Sequence, residues 1–369
     1  MGKESPLKEL HQANGAKFAE ENGWMLPLEF AGSLRECQAV RSQLGLFDLC
    51  DRGLLRFTGP DRVSYLQGMV SNDVKTLREG KGVYAAILDV QGKILADVRI
   101  FCAGESFLLD LHASLKEKIL AHLNRYLIAD EVEISDLTDQ YGIVSLQGPQ
   151  TSALLDELVS QSQIPAEDLD HSMVHIKGAD CRLIRCSHTG EEGCDLLAET
   201  KDLLPIASLL QETGKKYSLQ WVGTQAQNIL RIEAGLPRYG VDMDENNLLL
   251  ETGMDRAVSF QKGCYLGQEV VERVRSRGHV NKKLVGLILE GDTVAGHDDV
   301  IRAGEKEVGR ITSAVFSPAL NRPLALGYVH RDYLQPGTHL SVVHDGKLLP
   351  VRVSSPPFTR PHSPNRPLE

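Results

Sequence analysis

Leu54-Leu-Arg-Phe57-Thr-Gly59-Pro60-Asp61-Arg-Val63-Ser-Tyr-Leu66-Gln-Gly-Met-Val70 reads as a strand, a turn and a helix in direct succession. Leu54, Leu55 and Phe57 supply the apolar run of a strand. Pro60 suits a first helical turn, where its missing N–H would have had no partner, and Asp61 complements the positive helix end. Val63, Leu66 and Val70 then share one helical face. The same grammar returns at Val144-Ser-Leu-Gln-Gly148-Pro149, followed by Leu154, Leu155, Leu158 and Val159. Gly-Pro helix starts are common in their own right, so the pair suggests, without requiring, two related α+β units.

Between the two copies, Tyr84–Leu88, Ile94–Phe101 and Ser106–Leu111 read as strands and Leu115–Leu127 as a helix. Beyond them come strands at Met173–Ile176 and Arg182–Arg185 and helices near 202–213 and 224–234. A helix is also expected from about Ser33 to Leu44. After Lys283 the helical period stops, and five short strands (284–289, 307–311, 324–329, 339–343 and 349–353) separated by Gly or Pro turns predict a small all-β domain. The division expected is 1–282, a barrel at 283–355, and a loose Pro-rich tail at 356–369.

The whole chain, 369 residues with 42% hydrophobic and 24% charged content, has enough apolar material for a sizeable core. Its net charge of −10 argues against generic binding to nucleic acid or anionic membranes. Seven cysteines at irregular spacings, with no C-x-x-C, predict neither a disulfide framework nor a zinc site, and no metal centre is expected. With no signal peptide or apolar span visible, a cytoplasmic protein is expected. Dinucleotide, P-loop, zincin and serine-hydrolase motifs are absent from the sequence.

Val258–Lys283 is the chemically distinctive window. Cys264 lies between Gly263 and Gly267, two residues after Lys262 and just before a helix start, an arrangement that favours a reactive thiolate. Lys262, Arg273, Arg275, Arg277, Lys282 and Lys283 outnumber Glu269 and Glu272, which makes this stretch a candidate anion-binding rim.

Lys262-Gly-Cys-Tyr-Leu-Gly-Gln-Glu269 resembles the signature of the YgfZ family, folate-binding proteins implicated in iron-sulfur cluster assembly or repair. From about residue 11 to 358 the chain resembles the wider glycine-cleavage T-protein (aminomethyltransferase) superfamily. The motifs that carry the likeness are Leu46-Phe47-Asp48, Thr58–Asp61, Ser71-Asn72-Asp73-Val74, Thr189-Gly190-Glu191, Arg231–Gly240 and Val308–Pro318. The resemblance implies an α+β fold of two intertwined units around a central cavity, plus a C-terminal β-barrel. It also implies tetrahydrofolate, or a one-carbon derivative, as the ligand.

Residue by residue, the resemblance places Glu191 against the pterin ring, Asp97 near the folate nitrogens, and Tyr84 and Asn72 on the cavity wall. Arg231 and Lys262 would be basic ligand contacts, and Arg238, Arg273 or Arg275 would meet the folate glutamate tail. Cys264 and Asp97 would carry the chemistry. Aminomethyltransferases tend to have paired aspartates at Ala96-Asp97, Asp-Phe at Cys264-Tyr265, Ser-His-Met-Gly at Cys50-Asp51-Arg52-Gly53, and a histidine at Val241. These departures favour a YgfZ-like protein working with iron-sulfur enzymes or assembly factors. The alternative is an aminomethyltransferase that moves a one-carbon unit from a lipoyl carrier protein to tetrahydrofolate.

Overall fold

Gly59 and Gly148 occupy the same place in two copies of one chain path. The structure, a computed structural model, describes residues 2–359 apart from the Arg277 side chain. The first copy runs through strand Arg52–Thr58, helix Arg62–Met69, strands Gly82–Leu88, Ile94–Ala103 and Ser106–His112, helix Lys116–Tyr126 and strand Glu133–Asp136. The second repeats that order: strand Tyr141–Gln147, helix Thr151–Leu155, strands His171–Ile176, Ala179–Arg185 and Gly193–Glu199, helix Thr200–Gly214 and strand Gln220–Val222. In each sheet the three-strand meander lies beside the unit's first strand, and its last strand lies beyond that. The repeat suggested by the Gly-Pro pair is therefore a duplication of topology.

Both glycines are required where they stand. Their φ angles are +99° and +132°. A Cβ on Gly59 would lie 2.2 Å from the Glu131 carbonyl oxygen, and one on Gly148 would lie 2.7 Å from those of Val40 and Gln43. A residue with a side chain would meet strain and collision together.

The units interlock through strand Gly45–Asp48. Although it precedes the first unit in sequence, it sits in the second unit's sheet, antiparallel to Tyr141–Gln147 and parallel to Gln220–Val222. All four of its residues are buried. This matches the intertwined α+β architecture that the resemblance implies.

Six strands from Lys282–Leu289 to Lys347–Ser354 close the C-terminal barrel. Five were legible in sequence, and the sixth, Val300–Ala303, is four residues long. The expected loose tail is held for its first four residues. Phe358 N–H donates to the Glu233 carbonyl at 2.8 Å, its ring packs over Gly286, and Pro356 packs over Gly235. Residues 360–369 lie outside the described part of the chain.

At the N-terminus, Lys3–Glu4, Lys17–Glu21 and Trp24–Glu29 form a small sheet around a turn at Asn22-Gly23. The helix expected through Leu158 and Val159 stops at Leu155. Among the described residues, no helix is long and apolar enough to cross a membrane.

Candidate functional site

A cavity of about 270 Å³ opens where the two units meet the segment that leads to the barrel. Strand Ile94–Ala103 sends Asp97 and Arg99 to its wall, since residues two apart share a face. On the neighbouring strand, Tyr84 pairs across from Arg99. The Tyr84 hydroxyl donates to Asp97 Oδ2 at 2.8 Å and lies 3.1 Å from Met254 Sδ. Burial, reinforced by the Asp97 charge, pushes the Tyr84 phenol well above its ordinary range, so it is a proton donor at neutral pH. The Arg256 guanidinium sits 4.9 Å from the Tyr84 ring centroid, a cation–π contact at the cavity wall.

A chain of charges runs through the adjoining wall. Arg52 Nε donates to Asp110 Oδ1 at 2.5 Å, and Arg99 Nη1 to Asp110 Oδ2 at 3.3 Å. Arg99 Nη2 lies 3.2 Å from His188 Nδ1, and His188 Nε2 lies 2.9 Å from Asp195 Oδ2. A guanidinium only donates, so His188 Nδ1 accepts from Arg99 and Nε2–H donates to Asp195. Burial works against the Asp195 charge, but His188 and Arg99 outweigh it and hold the carboxyl below the usual range. Sequence reasoning missed Arg52, Arg99, Asp110, His188 and Asp195 as a network. The available signals were Asp97-x-Arg99 in a strand and a histidine three residues before Glu191.

The ligand atoms of Cys186, His188 and Asp195 lie within 4.8 Å of one another. Arg99 touches this group, and burial pushes the Cys186 thiol up to about 12. A resident guanidinium and a protonated thiol make a poor cation site.

Glu191 lines a second recess, of about 220 Å³, which shares Ser187, Leu236 and Arg256 with the main cavity. Its carboxylate accepts from Arg41 Nη1 at 2.8 Å. Pro357 and Thr359, from the start of the tail, form part of this recess wall.

The structure brings together Tyr84, Asp97, Arg231 and Arg238 on the cavity and Glu191 beside it, but not Asn72, Lys262, Cys264, Arg273 or Arg275. Lys262 is a correction. Its ammonium donates to the carbonyls of Gln67, Val70 and Asn72 at 2.6–2.8 Å, and it does not line the cavity. Burial lowers its pKa to about 8. Asn72 is likewise turned to backbone: its amide donates to the carbonyls of Tyr84 and Arg256, each at 2.8 Å, which braces the wall from behind. Arg231 lines the cavity but is buried and clamped, with Nη1 on Asp242 at 2.6 Å and Nη2 on barrel Ser313 at 2.8 Å.

Cys264 is exposed and outside the cavity, and the lysine expected to activate it is held by those three carbonyls. Arg273 and Arg275 pair with Glu269 and Glu272 on their own helix, whereas Arg238 does reach the cavity. Cys181 and Cys194 pack in one core and Cys186 in another, so those three do not form a common ligand set.

These features define a class: a duplicated α+β body, interlocked by an early strand, with a charged cavity at its centre and a closed barrel behind. The chain belongs to the glycine-cleavage T-protein family, matching the GCVT N-terminal domain over residues 7–262 and the glycine cleavage T-protein C-terminal barrel domain over 282–359. It is 34% identical to the aminomethyltransferase of Rubrobacter xylanophilus, covering 96% of this chain and 94% of that protein. It is 30% identical to the aminomethyltransferase of Halothermothrix orenii, covering 96% and 99%. The crystal structure of the glycine cleavage system aminomethyltransferase T from Bartonella henselae matches with a TM-score of 0.89 at 27% identity, covering 98% of this chain and 99% of that one.

These matches overturn the expectation of a YgfZ-like protein that supports iron-sulfur enzymes, because the full-length relatives are named aminomethyltransferase. The departures that suggested the other branch leave the Tyr84–Asp97 pair intact. Arg52 is absorbed by Asp110, and Tyr265 is buried in a core.

Proposed function

We propose that this protein is an aminomethyltransferase, moving a one-carbon unit from an aminomethyl group on a lipoyl carrier protein to tetrahydrofolate and releasing ammonia. The observation that carries the reading is the Asp97 carboxylate, aimed into the central cavity and held by Tyr84. In the overall reaction the donor carbon loses its bonds to sulfur and nitrogen and gains two to folate nitrogens. The two folate N–H protons end on the thiol and the departing ammonia.

The lining suits a folate. Glu191 offers an acceptor carboxylate for the pterin N–H edge, Met254 and Leu236 offer apolar surface for the rings, and Arg238 and Arg256, each with one nitrogen on a carboxylate (Glu21 and Asp168), offer their remaining donors to the acidic tail. The Nε of Arg238 is buried with no hydrogen-bond partner, an open donor in a cavity residue. Asp97 stabilises positive charge as it develops beside the folate nitrogens and takes up a proton there, while Tyr84 fixes its orientation. Arg99, His188 and Asp195 brace the adjoining wall through their hydrogen bonds. The seven unpaired cysteines fit a reducing compartment such as the cytoplasm.

Incubation with an aminomethyl-loaded lipoyl carrier and tetrahydrofolate should release ammonia, and its absence at high enzyme concentration would exclude this activity. Glu191→Gln should weaken tetrahydrofolate binding in calorimetric titration.

A further inference from the structure

Arg41, near the end of helix Ser33–Ser42, stands between two carboxylates from distant parts of the chain. Nη1 donates to Glu191 Oε1 at 2.8 Å, while Nε reaches Glu233 Oε2 at 3.2 Å and Nη2 donates to that same oxygen. The carboxylates are buried, their side chains only 1% and 0% exposed. The other oxygen of Glu233 accepts from the hydroxyl of Ser317, on barrel strand Lys306–Ser317. One guanidinium therefore joins an early helix, the Glu191 turn and helix Thr224–Glu233, and through Glu233 it reaches the barrel.

A guanidinium is a rigid planar fork, so a grip on Glu233 along one edge sets the direction in which the remaining nitrogen presents itself to Glu191. A ligand that needs two parallel acceptor bonds from one carboxylate is sensitive to that carboxylate's angle, and a loosely held acceptor must be ordered at the expense of affinity. We propose that Arg41 is a positioning residue for the folate acceptor: it holds the Glu191 carboxylate at the angle that receives the pterin edge, and braces that angle against the barrel through Glu233 and Ser317. This inference rests on the reading that Glu191 grips folate. It gives a role to Glu233, a fully buried carboxylate that lines neither the cavity nor the Glu191 recess.

The test is steady-state kinetics with tetrahydrofolate varied, together with calorimetric titration of tetrahydrofolate, on wild type, Arg41→Met, Arg41→Lys and Ser317→Ala. Arg41→Met should raise KM and Kd for tetrahydrofolate by roughly tenfold or more, about 1.4 kcal/mol, while kcat at saturation falls less than about threefold. Arg41→Lys supplies charge without the fork and should recover only part of the loss, leaving roughly a threefold defect. Ser317→Ala leaves Arg41 in place but loosens Glu233, and should raise KM by roughly twofold to fivefold.

A tetrahydrofolate Kd in Arg41→Met within about twofold of wild type, or a fall in kcat with KM unchanged, overturns the proposal. Should Arg41→Met not fold, unchanged KM in both Arg41→Lys and Ser317→Ala overturns it equally. Failure of the wild type itself to bind tetrahydrofolate would bring down the folate reading and this inference with it, and the wild-type titration alone distinguishes that case.

Discussion

Replacing Lys262 with Met removes an ammonium that ties the segment before helix Gln268–Arg277 to the last turn of helix Arg62–Met69 and the residues just after it. Three hydrogen bonds of 2.6–2.8 Å to carbonyls are lost, and charge-assisted bonds contribute about 1.5–3 kcal/mol each. Against this, the substitution relieves the desolvation of a buried cation, which amounts to several kcal/mol per ion. The difference leaves a net destabilisation of about 2–4 kcal/mol, with the carbonyls of Gln67, Val70 and Asn72 lacking a donor. Urea denaturation measures it, and tetrahydrofolate titration of the same protein should give a Kd within about twofold of wild type.

The pH dependence has a definite sign. Burial lowers the Lys262 pKa from 10.5 to about 8 against the opposing pull of Asp73, so between these values the unfolded chain holds the proton more readily than the folded one. The wild type therefore gains stability from this group as pH rises from about 8 to 10.5, and Lys262→Met lacks that gain. Unchanged stability with a tenfold or greater loss of tetrahydrofolate affinity would refute the reasoning, and would restore Lys262 as the ligand contact that its sequence neighbourhood suggested.

Asp97→Asn is nearly isosteric and keeps an acceptor for Tyr84, so kcat for ammonia release should fall by about 10²–10⁴ with tetrahydrofolate Kd little changed; more than a tenth of wild-type turnover would contradict the role. Gly148→Ala combines a φ of +132° with a Cβ 2.7 Å from two carbonyl oxygens and should destabilise by about 3–5 kcal/mol in urea; a loss under about 1 kcal/mol would show that helix Ser33–Ser42 yields easily. Burial, aided by Arg182, depresses His171 to about 4, so acidification from 6.5 towards 4 should remove stability at up to about 1.4 kcal/mol per pH unit. His171→Phe should flatten that slope in denaturation curves taken across the window.

The architecture was largely legible because its signals are local. Alternation at 94–101 and 106–111, the Gly-Pro starts, and the change of period after Lys283 each lie within about a dozen residues. What escaped depends on separation in the chain. Arg52 and Asp110, or Arg41 and Glu233, are ordinary surface types in sequence and become part of a charged network or a brace only when strands or helices far apart in the chain are brought together. Lys262 shows the converse: its charge was visible in sequence, but the three carbonyls that hold it carry no side-chain signature. The basic window around Cys264 misled for the same reason, since Arg273 and Arg275 are balanced on their own helix and Lys262 faces backbone.

Strand Gly45–Asp48 has a consequence for how the chain comes into being. During synthesis it leaves the ribosome roughly a hundred residues before Tyr141–Gln147, its first neighbour in the sheet. At about 5–20 residues per second, that is a wait of about 5–20 s for an apolar Leu46-Phe47 segment with no edge to join. The first unit can close in that interval, but the second is completed only around a strand that was made first, so neither half is a separable product. Cutting the gene between the two units would yield a first fragment with a bare strand and a second with a gap in its sheet, which could be repaired only by each other.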